Sequence, residues 1–90
     1  MNKREKFTKE EAYAIAEALH IDFAQSRFDI EQFRKGLDVE LEHGTRYPIA
    51  NVTYDNPILT GKIALAHLLE FPDYYTRLEK LELYDKKMGY

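Results

Sequence analysis

The stretch "FDIEQFRKGLDVELEHG", residues 28–44, decides the fold. Ile30, Phe33, Leu37 and Leu41 recur at three- and four-residue steps, the spacing that lines up side chains on one face of an α-helix. Asp29 stands at the expected N-cap and Gln32 at N3, and Phe28 just before the cap is placed to close on Phe33 as a hydrophobic staple. Gly44 is the expected left-handed residue that stops the helix. Gly36, inside the helix, costs up to about 1 kcal/mol relative to alanine. Two readings fit it: close approach of another backbone, from the third helix before any other, or a tolerated glycine at an exposed turn.

The flanking segments read as helices too. "FTKEEAYAIAEALH" opens with a capping box, Thr8 as N-cap and Glu11 at N3, and carries the stripe Ala12, Ile15, Ala16, Leu19. "IDFAQSRF" is an irregular connector. After the loop "TRYPIANVTYDN", Asn56 is placed to cap and Pro57 suits the first helical position. The third helix, "PILTGKIALAHLLE", is apolar nearly all round and reads as the central element. Phe71-Pro72 interrupts it. Asp73 then caps "YYTRLEKLELYDKK", with Tyr74, Leu78 and Leu81 as its inner stripe. The expected fold is all-α, a compact bundle of four short helices with one longer loop at residues 44–56. Residues 1–90 read as a single helical domain whose first seven residues form a flexible N-terminus.

Ninety residues leave no room for a second core. Apolar residues make up 44% of the chain, with five Phe and seven Tyr, enough for a packed interior. Without cysteine, neither a disulfide framework nor a thiolate zinc site can form. No apolar run reaches the length of a membrane span, and none follows the charged start "MNKREKFTKEEAY" as a secretory leader would. A cytoplasmic protein is expected. The net charge of −3 argues against broad nucleic-acid binding, and the basic runs "NKREK" and "YDKKMGY" read as solvated termini.

The chemistry-bearing residues are two histidine–glutamate pairs at three-residue spacing, Glu40 with His43 and His67 with Glu70. At about 100° per residue, Glu40 falls at the edge of the second helix's stripe and His43 one step further round, on the side of Gly36. Glu70 falls between Leu59 and Ile63, inside the third helix's apolar arc, and His67 borders that arc. Glu17 and His20 share the spacing but lie away from their helix's stripe, on a solvated face. A carboxylate at a core edge must be paired, hydrogen-bonded or protonated. Glu40, His43, His67 and Glu70 are therefore expected to converge as a polar cluster rimmed by Asp73, Tyr74 and Tyr75.

The favoured use of that cluster is a hydrogen-bonded network in a non-enzymatic binding module, its partner another protein or a second copy of the chain. The alternative is a divalent-metal site built from the same four residues, with metal-bound water available for hydrolysis. Di-iron carboxylate bundles use Glu-x-x-His in pairs, but they need bridging carboxylates that the first helix does not offer. "LTGK" is not a phosphate-binding loop, since the first glycine of that motif is missing and Gly61-Lys62 lies in a helical pattern. "NVT" at Asn51 serves loop hydrogen bonding rather than glycosylation.

The span from "FDIEQFRKGLDVELEHG" through "NVT" to "GKIALAHLLEFPDYYTRLEKLE", roughly residues 28–82, resembles the DUF5661 family of small microbial proteins of unknown function. Ala50 stands where the family pattern has threonine, and Leu81-Glu82 where it has "ME". The resemblance implies that "ELEHG", "HLLE" and "PDYY" belong together, and it implies no activity.

Overall fold

Thr8 starts the first helix as its sequence requires. The Thr8 hydroxyl accepts the Glu11 N–H, and the Glu11 carboxylate accepts the Thr8 N–H, a complete capping box. In the computed structural model, which describes residues 6–46, 49 and 56–87 (backbone alone for 43–46 and 84–87), four helices follow. They are α1 (Lys9–Ala18), α2 (Ile30–Arg46), α3 (Pro57–Glu70) and α4 (Tyr74–Lys87), with no strand among the described residues. The chain is an all-α bundle.

Each boundary has a local cause. Helix α1 ends in a Schellman motif: Ile21 N–H donates to the Ala16 carbonyl and His20 N–H to the Glu17 carbonyl. The left-handed residue this requires is His20, at φ 60°, rather than glycine. Helix α2 opens where Asp29 Oδ1 accepts the Gln32 N–H at 3.0 Å. Asn56 Oδ1 accepts both Ile58 and Leu59 N–H groups, with Pro57 at the first helical position of α3. The staple expected between Phe28 and Phe33 is mediated by Phe23, whose ring lies edge-on to both at 6.0 and 6.2 Å.

Helix α3 is packed by several neighbours, as expected, lying on α1 and α2 and meeting α4 through His67 and Tyr74, and α2 shares the centre with it, packing against all three other helices. Phe33, Leu37 and Leu41 are buried as expected, joined by Ile15, Phe28 and Leu68. The face that α3 buries consists of Thr60, Gly61, Ala64 and Leu68, mostly small residues that let helices approach closely, whereas Leu59 and Leu69 are exposed. Gly61 packs beneath α1, where a Cβ would lie 2.7 Å from Ile15. Gly36 is buried too, and the reading of an exposed turn fails. A Cβ there would lie 2.5 Å from the Tyr75 ring and 3.0 Å from Ala64, so the glycine admits a side chain of α4 and a methyl of α3 rather than a backbone.

Three further expectations change. Helix α2 continues through Gly44 to Arg46, so Gly44 does not stop it and the following loop starts later. Phe7, assigned to a flexible N-terminus, is a buried core residue, and its N–H donates to Asp38 Oδ1 at 2.7 Å. Burial pushes the Asp38 carboxyl above its usual value, opposed by that N–H and by the charges of Arg34 and Lys6. On α4 the fully buried side chain is Tyr75, while Leu81 is exposed and Tyr74 and Leu78 are half-buried. The loop residues Asn51 and Thr53 lie outside the described residues.

Two substitutions with opposite signs check this account. Gly36→Ala gains helix propensity but forces the Tyr75 ring off its seat, and should destabilise by about 1–3 kcal/mol in urea melts. His20→Gly should stabilise by roughly 0.5–1 kcal/mol by relieving the left-handed backbone. A neutral Gly36→Ala would mean that Tyr75 does not sit against Gly36.

Candidate polar site at the corner of the second, third and fourth helices

Gly36 and Glu40 lie one turn apart on the same face of α2. A flat ring resting on the glycine can therefore bring a para-hydroxyl to the carboxylate one turn on. Tyr75 does this from the first turn of α4. Its hydroxyl donates to Glu40 Oε2 at 2.8 Å, and its ring is fully buried. The same Oε2 lies 3.5 Å from His67 Nε2 on α3, so one carboxylate oxygen joins three helices. The Glu40 side chain is 10% exposed and that of His67 36%, which places the pair at the rim of the core.

Aromatic contacts complete the corner. Tyr74 stacks on the His67 imidazole at 4.2 Å with the rings 4° from parallel, and Tyr75 meets His67 edge-on at 6.1 Å. Tyr74 and Tyr75 pack edge to face at 4.9 Å. Burial pushes the Tyr75 phenol far above its ordinary value, and the negative charge of Glu40 and the hydrogen bond to it push the same way. The Tyr75 hydroxyl is thus held protonated as a hydrogen-bond donor to Glu40. Away from the corner, Gln32 Nε2 donates to Thr76 Oγ1 and Lys35 pairs with Glu79 at 3.2 Å, two more ties between α2 and α4.

Of the seven residues expected here, Glu40, His67, Tyr74 and Tyr75 come together. Glu70 does not: it is exposed, because the arc of α3 containing Leu59 faces outward and the small-residue arc faces in. Asp73 turns to Arg77, whose Nε donates to its Oδ1 at 2.8 Å, and that bond holds the Asp73 carboxyl below its usual value. The His43 side chain lies outside the described residues. Glu17 and His20 are exposed, as expected of the control pair. Among the described residues no three His, Asp or Glu side chains converge to hold a metal ion. Tyr75, expected at the rim, stands at the centre of the cluster; the Gly36–Glu40 spacing on one face was the available signal for that position.

Removing either side of the central bond has a distinct signature. Glu40→Ala leaves the Tyr75 hydroxyl buried without an acceptor and should cost about 1–3 kcal/mol. Glu70→Ala, on the exposed face, should stay within about 0.5 kcal/mol. The pH dependence has a definite sign, because the folded pKa of Tyr75 lies above the unfolded value of 10.0. Its contribution is fully present below that pH and is lost as pH rises past it, since the unfolded chain sheds a proton the folded chain keeps. The slope is about 1.4 kcal/mol per pH unit. Tyr75→Phe lacks this dependence, so its urea midpoint should fall less steeply above pH 10.0; parallel curves for the two proteins would contradict the assignment.

Comparison with curated proteins and with solved structures finds no match for this chain. A family model described as "Protein of unknown function (DUF5661)" matches residues 12–84, from the buried face of α1 through most of α4. The match covers the whole α2–α3–α4 corner and most of the chain, and the protein belongs to the DUF5661 family.

Proposed function

We propose that the protein is a cytoplasmic, non-enzymatic interaction module, and that its binding face is the outer side of α4. One observation carries this reading. The apolar stripe of α4 is only partly buried: Tyr74 and Leu78 rest against the core by one edge, and Leu81 is exposed. With Phe71 and Arg77 these residues line an open groove of about 260 Å³. Leu81 is 56% exposed and Phe71 45%. Contiguous apolar surface of this kind is a marker of contact with another macromolecule. The polar corner then has a mechanical role: Glu40, His67 and Tyr75 hold the first turn of α4 in the orientation that presents the stripe. No helix among the described residues is long and apolar enough to cross a membrane.

A second reading, a divalent-metal site, draws on the Glu40–His67 pair. Among the described residues Glu40 and His67 are the expected ligands that come together; Glu70 is exposed, the His43 side chain lies outside the described residues, and Glu40 Oε2 already accepts the Tyr75 hydroxyl. Hydrolysis by metal-bound water depends on that site and stands or falls with it.

Photo-crosslinking separates the readings. Benzoylphenylalanine in place of Leu81, in the cells that express the chain, should give discrete adducts, and the same group in place of Glu17 should give none. Loss of adducts at position 81 would overturn the interaction reading. Chelator should leave the melting temperature of untagged protein unchanged. A drop of several degrees, reversed by one equivalent of divalent metal, would replace the proposal with the metal site.

A further inference from the structure

We infer that the partner for the α4 face is a second copy of this chain, packed with the two α4 helices side by side and parallel. This deepens the interaction-module reading and rests on it. Within α4, Tyr74, Leu78 and Leu81 are spaced by four and three residues, the alternation of the two seam positions in a coiled coil, and Phe71 borders the stripe from the turn that precedes the helix. Leu81 is exposed, and Tyr74 and Leu78 are half-buried, resting on the core by one edge and lining the open groove beside Leu81 by the other. Helix α4 is also poorly held for its length: α2 is its main neighbour, and Tyr75 is its one core side chain among the described residues. A helix of three to four turns gains most of its stability from tertiary packing, and a second packed face would supply it.

The flanking charges say which way a copy docks. At about 100° per residue, Arg77 and Glu82 fall on opposite sides of the Tyr74–Leu78–Leu81 stripe. Both are exposed. In an antiparallel pair, like flanks meet, and Arg77 would face Arg77 of the other copy. In a parallel pair about a two-fold axis, opposite flanks meet, so each Arg77 faces the other copy's Glu82 five residues further on, the interhelical pairing of a parallel coiled coil. Arg77 is free to make that contact. It uses Nε on Asp73 and lies over the Phe71 ring at 5.5 Å, which leaves its two terminal amino groups for a carboxylate across the interface. The pairing is self-complementary and occurs twice per dimer. A contact of roughly three turns is smaller than a standard interface, so association belongs in the range of about 10–100 µM rather than nanomolar.

Sedimentation equilibrium on the full chain, from about 5 to 500 µM, reads this directly. The expected mass rises from one chain toward two. Leu81→Glu, at an exposed position that leaves the core intact, should remain one chain throughout with unchanged helical circular dichroism. Glu82→Arg sets like charges face to face twice and should weaken association about tenfold or more, and the charge swap Arg77→Glu with Glu82→Arg should restore it. A wild-type chain that stays single up to the highest concentration overturns the inference. So does dimerisation that Leu81→Glu leaves untouched, or a charge swap that fails to restore what Glu82→Arg removes. A single chain that still crosslinks to a different protein through position 81 defeats self-association and keeps the interaction module; a single chain with no adduct defeats both.

Discussion

The Tyr75 ring lies on Gly36 with its hydroxyl on Glu40, and the placement of α4 depends on that contact. A buried tyrosine removes about 150–250 Å² from water, which makes it the largest apolar contribution a short helix can make. The same burial creates an obligation, because a phenol without an acceptor would cost about 1–3 kcal/mol. Glu40 meets it, and the shared carboxylate oxygen draws His67 of α3 to the same point. Glycine at 36 is what makes the geometry available: any side chain there would occupy the space of the ring. The helix defect and the polar cluster are therefore one feature, in which flexibility given up at one position is exchanged for a seat at the next turn.

Much of the fold was legible because its signals are local. Thr8 with Glu11, Asp29, and Asn56 with Pro57 satisfy backbone groups within one turn, and a sequence states such pairs openly. The stripe of α2 was legible because that helix is packed from several sides, so its apolar face and its buried face coincide. The failures on α3 and α4 share one cause. On α3 and α4 the bulkiest apolar arc is not the arc that packs. Helix α3 turns Thr60, Gly61 and Ala64 inward to approach α1 and α2 closely, and this carries Glu70 out into solvent. Helix α4 turns Tyr75 fully inward, rests Tyr74 and Leu78 against the core by one edge and leaves Leu81 outside. A helical wheel locates hydrophobicity, but inwardness is set by which faces fit together.

The same mismatch links structure to function. A chain of this size has little apolar material to spare, yet α4 holds Leu81 and Leu83 more than half exposed. The corner cluster explains how Leu81 stays outward, since Tyr75, Thr76 and Glu79 engage α2 from the other side of the helix, whereas Leu83 lies on the Thr76–Glu79 side and is exposed there. Of the candidate cluster, Glu40 was readable as a core-edge carboxylate in need of a partner. That Tyr75, expected at the rim, would be its hydrogen-bond donor, and that Glu70 would stay outside the cluster, depends on helix orientations that no single segment encodes. Asp38 was invisible for a similar reason: its role, holding the Phe7 N–H, joins residues 31 apart in sequence.

The account's central claim is that the Tyr75–Glu40 bond docks α4 on α2, and a double-mutant cycle measures it. Stability is determined for the wild type, Glu40→Ala, Tyr75→Phe and the double variant. Each single change leaves one polar partner stranded and the double change leaves neither, so the coupling energy isolates the bond. The predicted coupling is about 1.5–3 kcal/mol, as for a buried hydrogen bond to a charged acceptor. A coupling below about 0.5 kcal/mol, the range of independent sites, would contradict the claim.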